Sequence, residues 1–287
     1  MKLRLTILIS AASLLAMSCH HESAPIVVGS KNFTESVILG ELLAQRLEAS
    51  GCKVDRRLNM GGSLVCDSAI GSGAIDTYVE YSGTALTAIL HQPVDNRGGV
   101  MGRIETAYKK RGLHFGPALG FNDTFAMIVR RTDAARDHLQ RVSDLQRVAG
   151  TIRPGFGYEF AGRPDGWNGL VKRYGLQVAT APKTMDLGLT YKALATNQID
   201  LIAGNSTDGL IASLGLVVLE DDLHYFPPYD AAIVYRNDID KKCSAATTAL
   251  ATMINTIDDS TMRSLNYEVD GKKRDVAEVV REALKRR

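Results

Sequence analysis

Little in this chain of 287 residues invites an enzymatic reading. No Walker-type loop is present, and the runs Gly71-Ser72-Gly73 and Gly155-Phe156-Gly157 lack the third glycine of a dinucleotide fingerprint. Gly204-Asn205-Ser206-Thr207-Asp208 fails the nucleophile-elbow pattern at its last position. The six histidines show no ligand spacing, so neither a metal nor a cofactor is expected. An excess of one charge is lacking too. Once Lys2 and Arg4 are set aside with the first 18 residues, 32 basic side chains face 32 acidic ones, which gives no electrostatic reason to seek nucleic acid. No segment after the N-terminus has 18 uninterrupted apolar residues.

Cysteine is scarce. Beyond Cys19 there are Cys52, Cys66 and Cys243, an odd number, so at least one is free or intermolecular. Cys52 precedes a predicted strand and Cys66 follows it. A strand of that length rises roughly 20 Å, which puts these two at opposite ends. Buried free thiols are expected rather than a disulfide framework.

The N-terminus reads as a targeting segment. Lys2 and Arg4 precede the apolar stretch Leu5 to Leu15, and Leu15-Ala16-Met17-Ser18 leads into Cys19. The pattern is that of a bacterial lipoprotein signal, cleaved before Cys19, which would carry the lipid anchor to the membrane. The plainer alternative is a secretory signal with a chance cysteine. Both put the mature protein outside the cytoplasm, in the periplasm or at the cell surface. Residues 19–25 are then a tether.

The remainder alternates strand and helix, which argues for an α/β fold with a largely parallel sheet. Strands are expected at Ile26–Gly29, Val54–Leu58 and Ile75–Tyr81, with helices at Glu35–Ser50, Leu64–Ile70 and Thr84–Leu90. A second series opens with a strand in Asn122–Val129. It continues through a helix opening at Ser143-Asp144-Leu145, a strand at Gly150-Thr151-Ile152, a helix at Leu187–Thr196, and strands at Ile199–Ala203, Leu216–Glu220 and Ala231–Tyr235. From Ser244 the tail is helical, interrupted at Gly271. No Pro/Gly/Ser-rich linker separates the two series, so two lobes joined by strands near Phe125–Val129 and Pro227–Ala232 are expected. Residues 26–125 and 229–287 would form the first lobe and 126–228 the second.

The informative residues sit where strands give way to helices. Lys31 follows the first strand, Asn32 and Glu35 have capping-box spacing, Tyr81 ends the third strand, and Thr84 lies in the next helical turn. In open α/β sheets, ligands sit at the carboxyl ends of strands. A helix N-terminus beside a lysine suits a carboxylate.

Several runs carry a resemblance across nearly the whole mature chain. They include Gly29-Ser30-Lys31-Asn32-Phe33-Thr34-Glu35, Glu80-Tyr81-Ser82-Gly83-Thr84, Gly120-Phe121-Asn122-Asp123-Thr124-Phe125, Arg163-Pro164-Asp165-Gly166, Ser206-Thr207-Asp208-Gly209, Phe226-Pro227-Pro228-Tyr229 and Leu265-Asn266-Tyr267. With these the chain resembles the solute-binding proteins of osmoprotectant ABC importers, the glycine betaine/choline/carnitine-binding family. The resemblance implies a two-lobed periplasmic-binding-protein-like fold with two crossover strands as a hinge and the ligand cleft between the lobes. It implies a monomer that hands a quaternary-ammonium ligand to an ABC permease and its ATPase, without enzymatic activity. Position by position, it implies cage rings at Tyr81, Phe125 and Tyr229, carboxylate-holding or site-closing groups at Lys31, Thr84 and Arg163, and a polar partner at Asp123. Asn205 departs from the pattern, since many members with a four-ring cage have an aromatic residue there. This leaves room for another cargo, such as ergothioneine, choline or a polar amino acid, and for a sensory role on the same scaffold.

Overall fold

The computed structural model describes residues 24–93 and 99–285. The signal segment, Cys19 and most of the tether lie outside the described residues. Two five-stranded sheets form the spines of two lobes. The first has the order β2-β1-β3-β10-β4 and is built from β1 (Ile26–Gly29), β2 (Val54–Arg57), β3 (Thr77–Tyr81), β4 (Leu113–Asn122) and β10 (Asp230–Arg236). The second has the order β7-β6-β8-β5-β9, from β5 (Phe125–Arg130), β6 (Pro154–Gly157), β7 (Lys183–Met185), β8 (Leu201–Asn205) and β9 (Leu216–Leu219).

The largely parallel sheet expected from the alternation is in fact two mixed sheets, and the path of the chain explains why. Strands β1 and β3 both end at the interlobe cleft and lie parallel to β2 and to each other. Strand β10 begins at the cleft, so it runs antiparallel to both β3 and β4. In the second lobe β6 and β8 are parallel and finish at the cleft, whereas β5 starts there and lies antiparallel to β8 and β9. The chain crosses once through Asp123-Thr124, between β4 and β5, and once through the segment from Glu220 to Tyr229, between β9 and β10.

Helices cover the sheets. Helix α1 (Thr34–Ala49) buries Ile38, Leu39, Leu42, Leu43 and Leu47 against the first sheet. The tail folds back over it as α10 (Ala246–Ala251), α11 (Asp259–Asp270) and α12 (Val276–Lys285), with Gly271 at the C-terminal end of α11. Helix α2 (Ser63–Ser72) follows β2. After β3 a single turn, α3 (Ser82–Thr84), runs directly into π-helical Ala85–Ile89. Helix α4 (Val100–Lys110) packs on β4. In the second lobe α5 (Arg131–Arg136), α6 (Tyr158–Gly162), α7 (Trp167–Tyr174), α8 (Leu187–Ala195) and α9 (Leu210–Ser213) surround a core that includes Phe156, Phe160, Trp167 and Leu170. Among the described residues no helix is long and apolar enough to cross a membrane.

Three local expectations are corrected. Ser143-Asp144-Leu145 lies in a 3-10 turn, Val142–Arg147, rather than opening an α-helix. The strand expected at Gly150–Ile152 begins instead at Pro154, because the amides of Thr151 and Ile152 both turn back to the Val148 carbonyl. Cys52 and Cys243 form a disulfide, while Cys66 is free and buried. The length of β2 separates Cys52 from Cys66 only. The chain returns 191 residues later and sets Cys243 beside Cys52, a pairing with no local signal.

Candidate ligand-binding site

The strand ends of both sheets converge on one cavity of about 180 Å³ between the lobes. All eight candidate residues, Lys31, Tyr81, Thr84, Asp123, Phe125, Arg163, Asn205 and Tyr229, line its wall. Sequence reasoning missed Phe33, Glu159 and Asp186, which also line it. Phe33 stands inside the matching run that follows β1, where only its polar neighbours were singled out.

Lys31 leaves the end of β1 with its amide donating to Ser36 Oγ. Its ammonium lies 2.6 Å from Glu80 Oε1 and 4.4 Å from the centroid of the Tyr81 ring. Both members of this ion pair are buried. Glu80 also accepts from the Tyr81 amide at 2.8 Å, so the carboxylate fixes the backbone at the end of β3. The ring of Tyr81 is held from its other end by a hydrogen bond from Oη to Glu35 Oε1 at 2.6 Å. Burial, and then the Glu35 charge, push the Tyr81 hydroxyl well above its ordinary pKa, so it stays a donor. The expected capping box is not formed. Phe33, not Asn32, is the N-cap of α1, and the Glu35 carboxyl is taken by Tyr81, Thr207 and Asn266.

Arg163 crosses from the second lobe. Its guanidinium forms a two-pronged pair with Asp165 at 2.8 and 2.6 Å and donates to Thr84 Oγ1 at 3.0 Å. It also lies 5.2 Å from the Phe125 centroid and 6.0 Å from that of Tyr229. Burial pushes the Asp165 carboxyl up, but Arg163, Tyr229 and Thr87 outweigh it and hold the group below its ordinary value. Tyr229 Oη donates to Asp165 Oδ2 at 2.6 Å, and its ring meets Phe125 edge-on at 5.5 Å. Gly83 is required here, since a Cβ on it would come within 2.6 Å of the Tyr229 ring. Glu159 spans the lobes as well, accepting from the Ser63 amide at the start of α2.

The remaining wall is polar. Asn205 ends β8 with its amide donating to Asp208 Oδ2 at 2.8 Å. Asp123 accepts from the Thr207 amide at 3.2 Å. Burial, and then the charges of Glu35 and Asp208, push its pKa well above the ordinary carboxylate value. Asp186 is exposed at the rim. Among the described residues no cluster of His, Cys, Asp and Glu is arranged to hold a metal ion.

Two mixed α/β lobes, joined at two crossings and closing on a small cavity walled by rings and charged groups, define a bilobal solute-binding protein. The family described as the substrate binding domain of ABC-type glycine betaine transport systems, OpuAC, matches residues 24–286. This chain belongs to that family. It is 34% identical over 256 residues to a glycine-betaine-binding protein of Pseudomonas aeruginosa, covering 85% of this chain and 81% of that one. It is 30% identical over 293 residues to the carnitine transport binding protein OpuCC of Listeria monocytogenes, covering 98% and 94%. The Helicobacter pylori ergothioneine transport permease/ergothioneine binding protein EgtU is 33% identical over 267 residues, covering 92% of this chain. The chain spans only 48% of that relative's length. A crystal structure of a glycine betaine/carnitine/choline ABC transporter superposes with a TM-score of 0.74 at 33% identity, covering 91% of this chain and 98% of that one. The relatives are transport binding proteins, not enzymes.

Proposed function

We propose that this protein captures a quaternary-ammonium zwitterion outside the cytoplasm and delivers it to an ABC permease, held to the membrane by a lipid on Cys19. The observation that carries the reading is the convergence of Tyr81, Phe125 and Tyr229 with Arg163 and Thr84 on one small interlobe cavity. A trimethylammonium group cannot donate hydrogen bonds, so ring faces are its best partners, worth roughly 0.5–2 kcal/mol each. The carboxylate of the same ligand would take the spare N–H groups of Arg163 and the hydroxyl of Thr84. Binding energy biases an open–closed equilibrium, since cage and anion site draw on both lobes. A disulfide between Cys52 and Cys243 supports an oxidising, extracytoplasmic compartment.

Asn205 favours a cargo with polar atoms beyond its headgroup. The side chain both donates and accepts, and it lines the wall where a fourth ring would otherwise stand. A larger betaine such as carnitine or ergothioneine satisfies that wall better than glycine betaine does. Thermal-shift screening against glycine betaine, choline, carnitine, ergothioneine and polar amino acids tests both levels of the reading. Stabilisation by at least one quaternary amine is expected, with the larger betaines strongest. Stabilisation only by an amino acid would overturn it.

A further inference from the structure

Behind the Asp123 wall lies a chain of polar groups that ties the lobes together and that ligand capture alone does not require. Glu35 belongs to α1 of the first lobe, Thr207 follows β8 of the second, and Asp123 sits on the crossing between them. All three are buried, as is Asn266 of α11. Thr207 Oγ1 makes a close contact with Glu35 Oε2 and lies 2.7 Å from Asp123 Oδ1. A threonine hydroxyl has a single hydrogen. If both carboxyls were ionised, one of these contacts would set a lone pair against an anion among buried groups, a costly arrangement.

The donor count tells which carboxyl is charged. Glu35 also accepts from Tyr81 Oη at 2.6 Å and from Asn266 Nδ2 at 3.0 Å, so with Thr207 it has three donors. Asp123 has the Thr207 amide at 3.2 Å. The geometry points to a proton resident on Asp123, which donates to Thr207 Oγ1 while Thr207 donates to an ionised Glu35, forming a pH-dependent clasp between the two lobes. The surrounding titratable groups reinforce this. Asp208 adds negative charge as it ionises, its own carboxyl pushed up by burial to about 7, and Tyr81 stays protonated. Lys31, which lies over the Tyr81 ring, is committed to Glu80. Asp123 and Glu35 are both raised by burial. A carboxyl with a raised pKa stabilises the folded form below its unfolded value and loses that contribution as pH rises through the folded value. The clasp therefore weakens from mildly acidic toward alkaline pH.

The test uses ligand-free protein, so its outcome is independent of which cargo is bound. In wild type, the melting temperature should fall by several degrees, and the radius of gyration by solution scattering should rise, between pH 5.5 and pH 9. In Glu35→Gln the side-chain oxygen still accepts from Asn266 and Thr207 while its amide donates to Tyr81 Oη, and Asp123 loses its anionic neighbour, so both pH responses should shrink to the part that Asp208 contributes. Parallel profiles in the two proteins would overturn the clasp. Carboxyl carbon-13 NMR of wild type covers the case in which the variant does not fold. Asp123 should titrate well above the ordinary carboxylate range, and titration of both Asp123 and Glu35 near their ordinary values would refute the shared proton.

Discussion

On the first lobe's side of the cavity, Lys31, Tyr81, Thr84 and Tyr229 are between 2% and 4% exposed, and each polar end is tied to a buried partner. On the second lobe's side, Phe125 packs with Phe160 and Arg163, Asn205 is buried with its amide bonded to Asp208, and Tyr158, at 64% exposure, and Asp186 are open to solvent. The first wall's polar ends are all held, two of them by Arg163 and Asp165 of the second lobe. The second is looser and more polar. Preorganised groups cost little to engage and suit what every cargo of a family shares, while an adaptable wall suits what differs between cargoes. We propose that Tyr81 and Tyr229, with Phe125 and Arg163 reaching in from the second lobe, serve what every cargo shares, and that the wall at Asn205 sets the choice of cargo.

The change expected to disturb this division most is Arg163→Ala, because that side chain is the main charged link between the walls. It would leave Asp165 buried without its cation and remove Thr84's partner across the cleft. Loss of a partner from a buried pair costs about 3–5 kcal/mol. Calorimetric titration should show binding of every quaternary amine weakened at least a hundredfold; weakening of one cargo alone would make Arg163 a selective group rather than a shared one.

Removing the disulfide should act on the first lobe without touching selectivity. Closing so long a loop suggests a loss of roughly 2–5 kcal/mol for Cys52→Ala with Cys243→Ala. Calorimetric melting should show the loss, with the relative affinities for two different betaines unchanged. An altered cargo preference would mean that the scaffold, not the second wall, sets the choice.

Smaller effects separate ring from hydroxyl. Tyr81→Ala or Tyr229→Ala should weaken quaternary-ammonium binding by about 1–2 kcal/mol or more through loss of a ring face. The phenylalanine variants keep the face but leave Glu35 or Asp165 one donor short, which costs about 1–3 kcal/mol of stability. Binding should therefore survive in the phenylalanine variants while the melting temperature falls. Equal losses of binding in the alanine and phenylalanine variants would show that the hydroxyls carry recognition.

The contrast between the walls was only half legible in the sequence. Residues at strand ends were readable because β1 and β3 are short apolar runs that stop at polar or aromatic residues, and Lys31 and Tyr81 follow from that. Phe125, Arg163, Asn205 and Tyr229 came from the family resemblance, and the structure brings them to the same cavity. What stayed hidden depends on long-range closure. Glu35 reads locally as a helix cap, and only the approach of Thr207 and Asn266, 172 and 231 residues away, makes it an interlobe group. Helices α4 and α7 and strand β4 were overlooked. Strand β2 forms where it was expected, although Asp55, Arg56 and Arg57 are exposed at the sheet edge and give it little apolar signal.

The division of labour is tested most directly by titrating wild type and Asn205→Tyr against glycine betaine and a larger betaine. A tyrosine adds a ring worth roughly 0.5–2 kcal/mol to an enclosed trimethylammonium and removes the polar wall. The variant should bind glycine betaine more tightly and the larger betaine more weakly than wild type. If wild type already prefers glycine betaine and the variant binds it worse, position 205 is not the selective wall and the contrast between the two sides fails.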